Sequence, residues 1–228
     1  MDHGADLLEA GREAYARRDW PRARSALLEV HAAGALDPDD LLMLSDTAWW
    51  MGLIDESVAE AEQAYRAYLD GGAARRAATA AVAIAVNLFL RGDEEIGAAW
   101  MSRAQRHLDG EPEGPEHGYI LYLLDVEGAP NDADTATVAA SARRVQAIGR
   151  RHGDPNLVAT GLLGEGRALV RSGQVARGMA LLDEAMVGVV AGEVAPDWAG
   201  NVYCHLIAAC WELQDVRRAT AWVAATED

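Results

Sequence analysis

The residues that could do chemistry fall into a few groups, and none sits at a spacing that catalysis needs. Gly161-Leu162-Leu163-Gly164-Glu165-Gly166 has the glycine density of a phosphate-binding turn. It lacks the Lys-Ser/Thr pair that completes a nucleotide loop, and no strand pattern precedes it. Inside a helix each glycine costs roughly 1 kcal/mol against alanine, so close helix approach is the favoured explanation. Cys204 and His205 are neighbours in a helical pattern and project about 100° apart, the wrong geometry for a nucleophile and its base. Cys204 and Cys210 lie about 240° apart around one helix and cannot bridge. No CxxC or HxxxH offers a metal site. Paired acids such as Asp39-Asp40 and Glu94-Glu95 stand at helix starts, where the helix dipole accounts for them. His3, His31, His107 and His117 fall near helix ends or linkers. The expectation is a protein that is not an enzyme, with no catalytic residues, no metal and no cofactor.

Charge narrows the partners. The chain carries 36 acidic and 20 basic residues, net −16, and every cation other than histidine is arginine. Such a molecule repels nucleic acid and anionic membranes at long range and favours cationic or apolar partners. Arg143, Arg144, Arg150 and Arg151 recur at seven-residue spacing with His152 beside them. They read either as a local anion patch or, preferentially, as a solvated face near a helix C-terminus. The N-terminus, MDHGADLLEA, has acids where a signal peptide needs cations and an apolar run. The most apolar stretch, Ala77–Leu90, is too short to span a bilayer. Free thiols suit a reducing compartment, so a cytoplasmic location is expected.

The elements that position these residues are all helical by pattern. Half of the chain is hydrophobic, alanine is abundant and β-branched alternation is nearly absent. In Leu162–Ala185 (LLGEGRALVRSGQVARGMALLDEA), Leu162, Gly166 and Leu169 form one helical stripe, Gly173 breaks the chain, and Gly178, Leu182 and Ala185 form a second stripe. That is an α-hairpin with small residues at the crossing. Similar hairpins are predicted over 5–30 and 38–68, with Asp19 and Leu53 equivalent (53 − 19 = 34). A third covers 73–108. Residues 109–118, with two prolines and three glycines, read as a linker. A weaker fourth unit has a short helix over 119–127 and a long one over 132–152. The fifth follows Asp154-Pro155-Asn156, and the sixth runs from Pro196-Asp197 with its turn near Gln214-Asp215. The organisation predicted is hairpins one to three over 1–108, the linker 109–118, and hairpins four to six over 119–228.

A 34-residue hairpin period with glycine and small residues at set offsets resembles the tetratricopeptide (TPR) repeat. The stretch GRALVRSGQVARGMALLDEAMVGVVAGE and then VYCHLIAACWELQDVRRATAWV (Val202–Val223) resemble, more narrowly, the helical-repeat region of bacterial LuxR-type transcriptional regulators. The resemblance implies an all-α right-handed superhelix of about six TPR-like hairpins, and a sensory or protein-binding role beside a separate DNA-binding module. It implies a concave groove lined by the first helix of each hairpin. Carried over residue by residue, that groove contains Arg12 and Tyr15, then Asp46, Trp49 and Trp50, then Val86 and Phe89, then Arg167 and Arg171, then Cys204 and Trp211. The partner expected there is a protein or peptide segment, or a small effector, with no direct nucleic-acid contact and no membrane. A receptor for acidic C-terminal tails is disfavoured, because lysine is missing and Asp46 falls in the groove. Trp222 and Val223 on the last helix leave two possibilities open: a fragment of a longer regulator, or a subunit that self-associates through that end. A freestanding scaffold or adaptor is the alternative to a regulator, and an enzyme the least favoured.

Overall fold

The computed structural model describes residues 3–34 and 36–226. Among the described residues all regular structure is helical. The helices form two compact units that divide between Pro112 and Glu113. The first unit contains α1 (His3–Ala16), α2 (Trp20–Ala32), α3 (Pro38–Trp50), α4 (Ile54–Asp70), α5 (Ala74–Arg91) and α6 (Glu94–Leu108). The second contains α7 (Pro115–Leu121), a π-helical segment Tyr122–Glu127, α8 (Thr135–His152), α9 (Pro155–Arg171), α10 (Val175–Val190), α11 (Pro196–Glu212) and α12 (Val216–Thr226). Helices pack chiefly on their neighbours in sequence, as adjacent pairs.

One backbone device makes most of the connections. A helix ends in a residue with positive φ, and the next residue returns its amide to the carbonyl five positions back before starting the following helix. Leu53 N bonds Ala48 O at 2.9 Å, Asp93 N bonds Leu88 O at 2.9 Å, and Gln174 N bonds Leu169 O at 2.9 Å. Such a turn needs a left-handed residue, which glycine supplies without strain at most of these positions. Two positions depart from this: Arg18 (φ 60°) and Gln214 (φ 56°). Each L side chain there is strained by about 1–2 kcal/mol. Arg18→Gly and Gln214→Gly should therefore each raise stability by up to about 1 kcal/mol in denaturant unfolding, since glycine's greater unfolded entropy offsets part of the relief.

The first unit closes around small residues. Ala14, Ala23, Leu27, Leu44, Ala48, Ala61, Ala64, Ala77, Ala81 and Ile84 have no exposed surface. Alanine at these crossings lets successive helices approach closely, and larger side chains fill the gaps between layers. In the second unit, Leu157, Leu182, Met186, Val202 and Leu206 are fully buried in one cluster. Glycines set its tightest crossings. A Cβ added at Gly178 would lie 2.5 Å from Gly166 O, and one at Gly161 would lie 2.7 Å from Gln146 N. The glycine-rich run 161–166 is therefore mid-helix, packed on α8 and α10, and shaped for contact with backbone.

Three boundaries differ from the sequence expectation. Pro115, read there as part of a breaker segment, is the first residue of α7; its missing N–H costs nothing at that position. His117 Nδ1 accepts from Gly114 N at 3.1 Å and fixes the entry. The short helix then continues as a π-helix rather than an α-helix from Tyr122. The long helix α8 starts at Thr135, where the Asp134 carboxylate accepts from Thr137 N at 3.0 Å. A single tight turn at Gly153 joins α8 to α9, and these two pack intimately through Gly149 and Gly161.

Candidate functional site

The residues expected on the groove are held very differently in the two units. In the first unit Arg12 is engaged by the protein itself. Its Nε and Nη2 each bond the Asp40 carboxylate at 2.8 Å, with Asp37 3.6 Å away. Those bonds push the guanidinium further toward its charged form. The pair ties α1 to α3. Tyr15 repeats the link one turn on, its hydroxyl donating to Asp46 Oδ2 at 2.5 Å. Both contacts fix the spacing of successive hairpins.

Trp49 is half-buried, whereas Trp50 leaves 37% of its surface exposed. Trp50 lies flat on Trp20 of α2, with ring centroids 5.3 Å apart and planes 3° from parallel. Tyr15 meets the same Trp20 edge-on at 5.4 Å. The Tyr15 hydroxyl and the Asp46 carboxylate stand beside this stack. The result is a rigid aromatic surface with an acidic border, assembled from α1, α2 and α3. Phe89 lies elsewhere: its ring fills the space that a side chain at Gly97 would need, at 2.7 Å, so it packs between α5 and α6.

A second aromatic group in this unit was not anticipated. Tyr65 hydrogen-bonds His107 Nε2 at 2.8 Å and meets Trp100 edge-on at 5.0 Å, and the Arg103 guanidinium sits 5.0 Å above the Trp100 ring. Burial and the nearby Arg103 and Arg106 charges hold the His107 imidazole toward its neutral form. Its members come from α4 and α6, and no spacing in the sequence announces the meeting. Trp20 was equally hidden, because in sequence it reads as a turn marker.

In the second unit Arg167 and Glu212 form a two-pronged pair at 3.0 and 2.8 Å, joining α9 to α11. Arg167 holds the Glu212 carboxyl below the usual carboxylate range. Arg171 donates to the Asn131 carbonyl. A polar chain lies alongside. The Tyr122 hydroxyl is 2.9 Å from Glu127 Oε2 and 2.8 Å from Asn201 Oδ1, and Glu127 Oε1 is 3.2 Å from His205 Nε2. Burial drives the Tyr122 phenol well above its ordinary range, while the His205 contact keeps the Glu127 carboxyl low. Trp211 projects from α11 with 84% of its surface exposed. It shares a shallow depression of about 440 Å³ with Tyr203, Cys204, Ile207, Ala208 and Glu212.

The arginine face of α8 is also partly paired. Arg143 meets Glu165 at 3.0 Å, Arg151 pairs with Glu113, and Arg150 bonds Gln146 at 3.1 Å. Among the described residues, no group of three or more His, Cys, Asp or Glu is placed to hold a metal ion. No helix among them is long and apolar enough to cross a membrane. What the arrangement offers chemically is surface: exposed aromatic rings on a rigid helical frame. No family model matches the chain, and no curated protein matches it either.

Proposed function

We propose that this chain is a TPR-like binding array, right-handed and superhelical, that captures a protein or peptide segment on the aromatic surface of its first unit. The observation that supports this reading is the Trp20–Trp50 stack. Trp50 is 37% exposed and lies flat on Trp20, which is itself held by the ring of Tyr15 edge-on. An indole held in place before binding loses little freedom on contact, which is what an interface anchor requires. The border chemistry selects the ligand. Asp46 and a net charge of −16 favour a segment carrying a basic side chain next to an apolar or aromatic one.

The wider role is that of the sensory or regulatory region of a cytoplasmic LuxR-type transcriptional regulator. Its support is the resemblance of residues 166–223 to the helical-repeat region of those proteins. Transcript profiles of the native host with the wild-type chain and with Trp50→Ala test the role; identical profiles would count against it. Binding itself is tested by selecting displayed peptides on the wild-type chain. Enriched sequences should pair Arg or Lys with an aromatic or aliphatic residue. Trp50→Ala should lose them while its helical circular dichroism stays unchanged, and retention of the same peptides would overturn the assignment.

A further inference from the structure

The docking of helix α12 within the second unit centres on one carboxylate. Among the described residues, α12 contributes no fully buried side chain, whereas α9 is buried over most of its length. Ala219 and Trp222 pack against the core cluster only partly buried, and Val216 and Val223 keep 72% and 37% of their surface exposed. So little buried apolar area leaves much of the docking to polar contacts. Asp183 of α10 supplies them. Its Oδ2 accepts from Arg218 Nη1 at 2.6 Å, and its Oδ1 accepts from Trp222 Nε1 at 2.8 Å. Arg218 and Trp222 stand four residues apart, on one face and on successive turns of α12, so a single side chain clamps both turns. Asp215 also bonds Arg218 Nε, at 3.2 Å, but it belongs to the same segment and adds nothing to docking.

The turn that leads into α12 is built on Gln214 at φ 56°, where the corresponding turns before α6 and α10 use Gly92 and Gly173. The strain of that left-handed side chain is released when the turn opens. Helix α12 is also only 11 residues long, too short to keep its helix in water on its own. Once it leaves the Asp183 carboxylate it frays, so undocking and loss of helix are one event.

We propose that α12 is a latched lid, which opens about Gln214 while the rest of the second unit stays folded, and that the group it uncovers is the Cys210 thiol. Cys210 of α11 is 1% exposed and belongs to the core cluster against which Ala219 and Trp222 pack. The charges of Asp183, Asp215 and Arg218 all act on its thiol, which places it beside the latch where α10, α11 and α12 meet. The remainder of the unit has its own support. Leu157, Leu182, Met186 and Leu206 are fully buried, and α9 meets α10 through the Gly166–Gly178 crossing, so none of these contacts involves α12. An element with few buried groups on a firmly packed base is the kind that opens below the threshold of global unfolding. Cys204 is exposed in either state, whereas Cys210 is available only when the lid is open. The device lies within the second unit and does not depend on the Trp50 surface.

Hydrogen exchange of the full chain, resolved by peptide, tests the lid. Amides of α12 should exchange at least about a hundredfold faster than the buried amides of α9 in the wild-type chain. Asp183→Ala removes both latch contacts while improving the helix propensity of α10, so a weakened α10 cannot mimic the effect. It should speed exchange of α12 by about a further tenfold and leave α9 unchanged. Asp183→Asn keeps an acceptor for Trp222 Nε1 and should fall between the two. Thiol labelling tests what is uncovered. In a Cys204→Ser background, alkylation of Cys210 by iodoacetamide should be slow and should rise with Asp183→Ala by the same factor as the exchange of α12. Exchange of α12 in step with α9 in the wild-type chain overturns the lid, and so does an Asp183→Ala variant in which both helices change together. Faster exchange of α12 with unchanged labelling of Cys210 overturns the assignment of the thiol beneath it.

Discussion

Replacing Arg24 by methionine is expected to destabilise the first unit by about 3–5 kcal/mol, the usual consequence of leaving a buried charge without its partner. Arg24 and Glu60 are 7% and 6% exposed, far from the normal habitat of either residue. Arg24 Nη2 and Nη1 bond the two Glu60 oxygens at 2.9 and 3.0 Å, and Nη1 also reaches the Leu44 carbonyl at 3.3 Å. One side chain therefore joins α2 to α4 across α3. Removing it strands the Glu60 carboxylate inside. The double variant Arg24→Met with Glu60→Leu removes both charges and keeps the volume, so it should recover wild-type stability or exceed it. Urea unfolding of the two variants gives the comparison. A single variant as stable as wild type would mean that water already reaches the pair.

The glycine crossings provide the second large effect, and its sign depends on position. Gly178→Ala and Gly161→Ala both improve helix propensity by roughly 1 kcal/mol. Each nevertheless places a methyl group against backbone: 2.5 Å from Gly166 O in the first case, 2.7 Å from Gln146 N in the second. Backbone cannot step aside as a side-chain tip can, so the helices must part. A net loss of about 1–3 kcal/mol is expected from either substitution. Gly188→Ala is the control within α10. Its nearest neighbours would stand at 3.5 and 3.8 Å, which is ordinary contact, and it should gain about 0.5–1 kcal/mol. The same chemical change then has opposite signs at positions ten residues apart on one helix. Thermal unfolding of the three variants resolves it.

The paired-helix organisation was legible because it rests on local signals. Asp19 and Leu53, placed as equivalents by their 34-residue separation, both precede a helix and both follow a left-handed residue. The stripe Leu162–Ala185 likewise marked a close crossing through Gly166 and Gly178. Neither pattern could show how α8 meets α9, because the turn at Gly153 is of the same kind as the turns within pairs. The π-helical segment left no trace in periodicity. Arg24 and Glu60 carried a usable signal that went unread: each interrupts an apolar helix face, and they stand 36 residues apart, close to one repeat.

The site was less legible than the fold, for a physical reason. Position within a repeat indicates which way a residue faces, but its availability depends on what the next hairpin offers. Arg12, Tyr15 and Arg167 point toward neighbouring first helices and are engaged there by Asp40, Asp46 and Glu212. Trp50 found an aromatic partner, Trp20, that lies on a second helix and is invisible to the groove argument. Trp211 is exposed near the end of α11. Exposed aromatic side chains can be nominated from sequence; the partners that hold or cover them come from three dimensions.

The central claim is that the Trp20–Trp50 surface captures a basic, apolar segment. Calorimetric titration of a selected peptide of that composition into the wild-type chain and into Trp50→Ala tests it most directly. A loss of at least tenfold in affinity, about 1.4 kcal/mol, with unchanged circular dichroism, is the predicted result. Equal affinity of the two proteins for that peptide would contradict it.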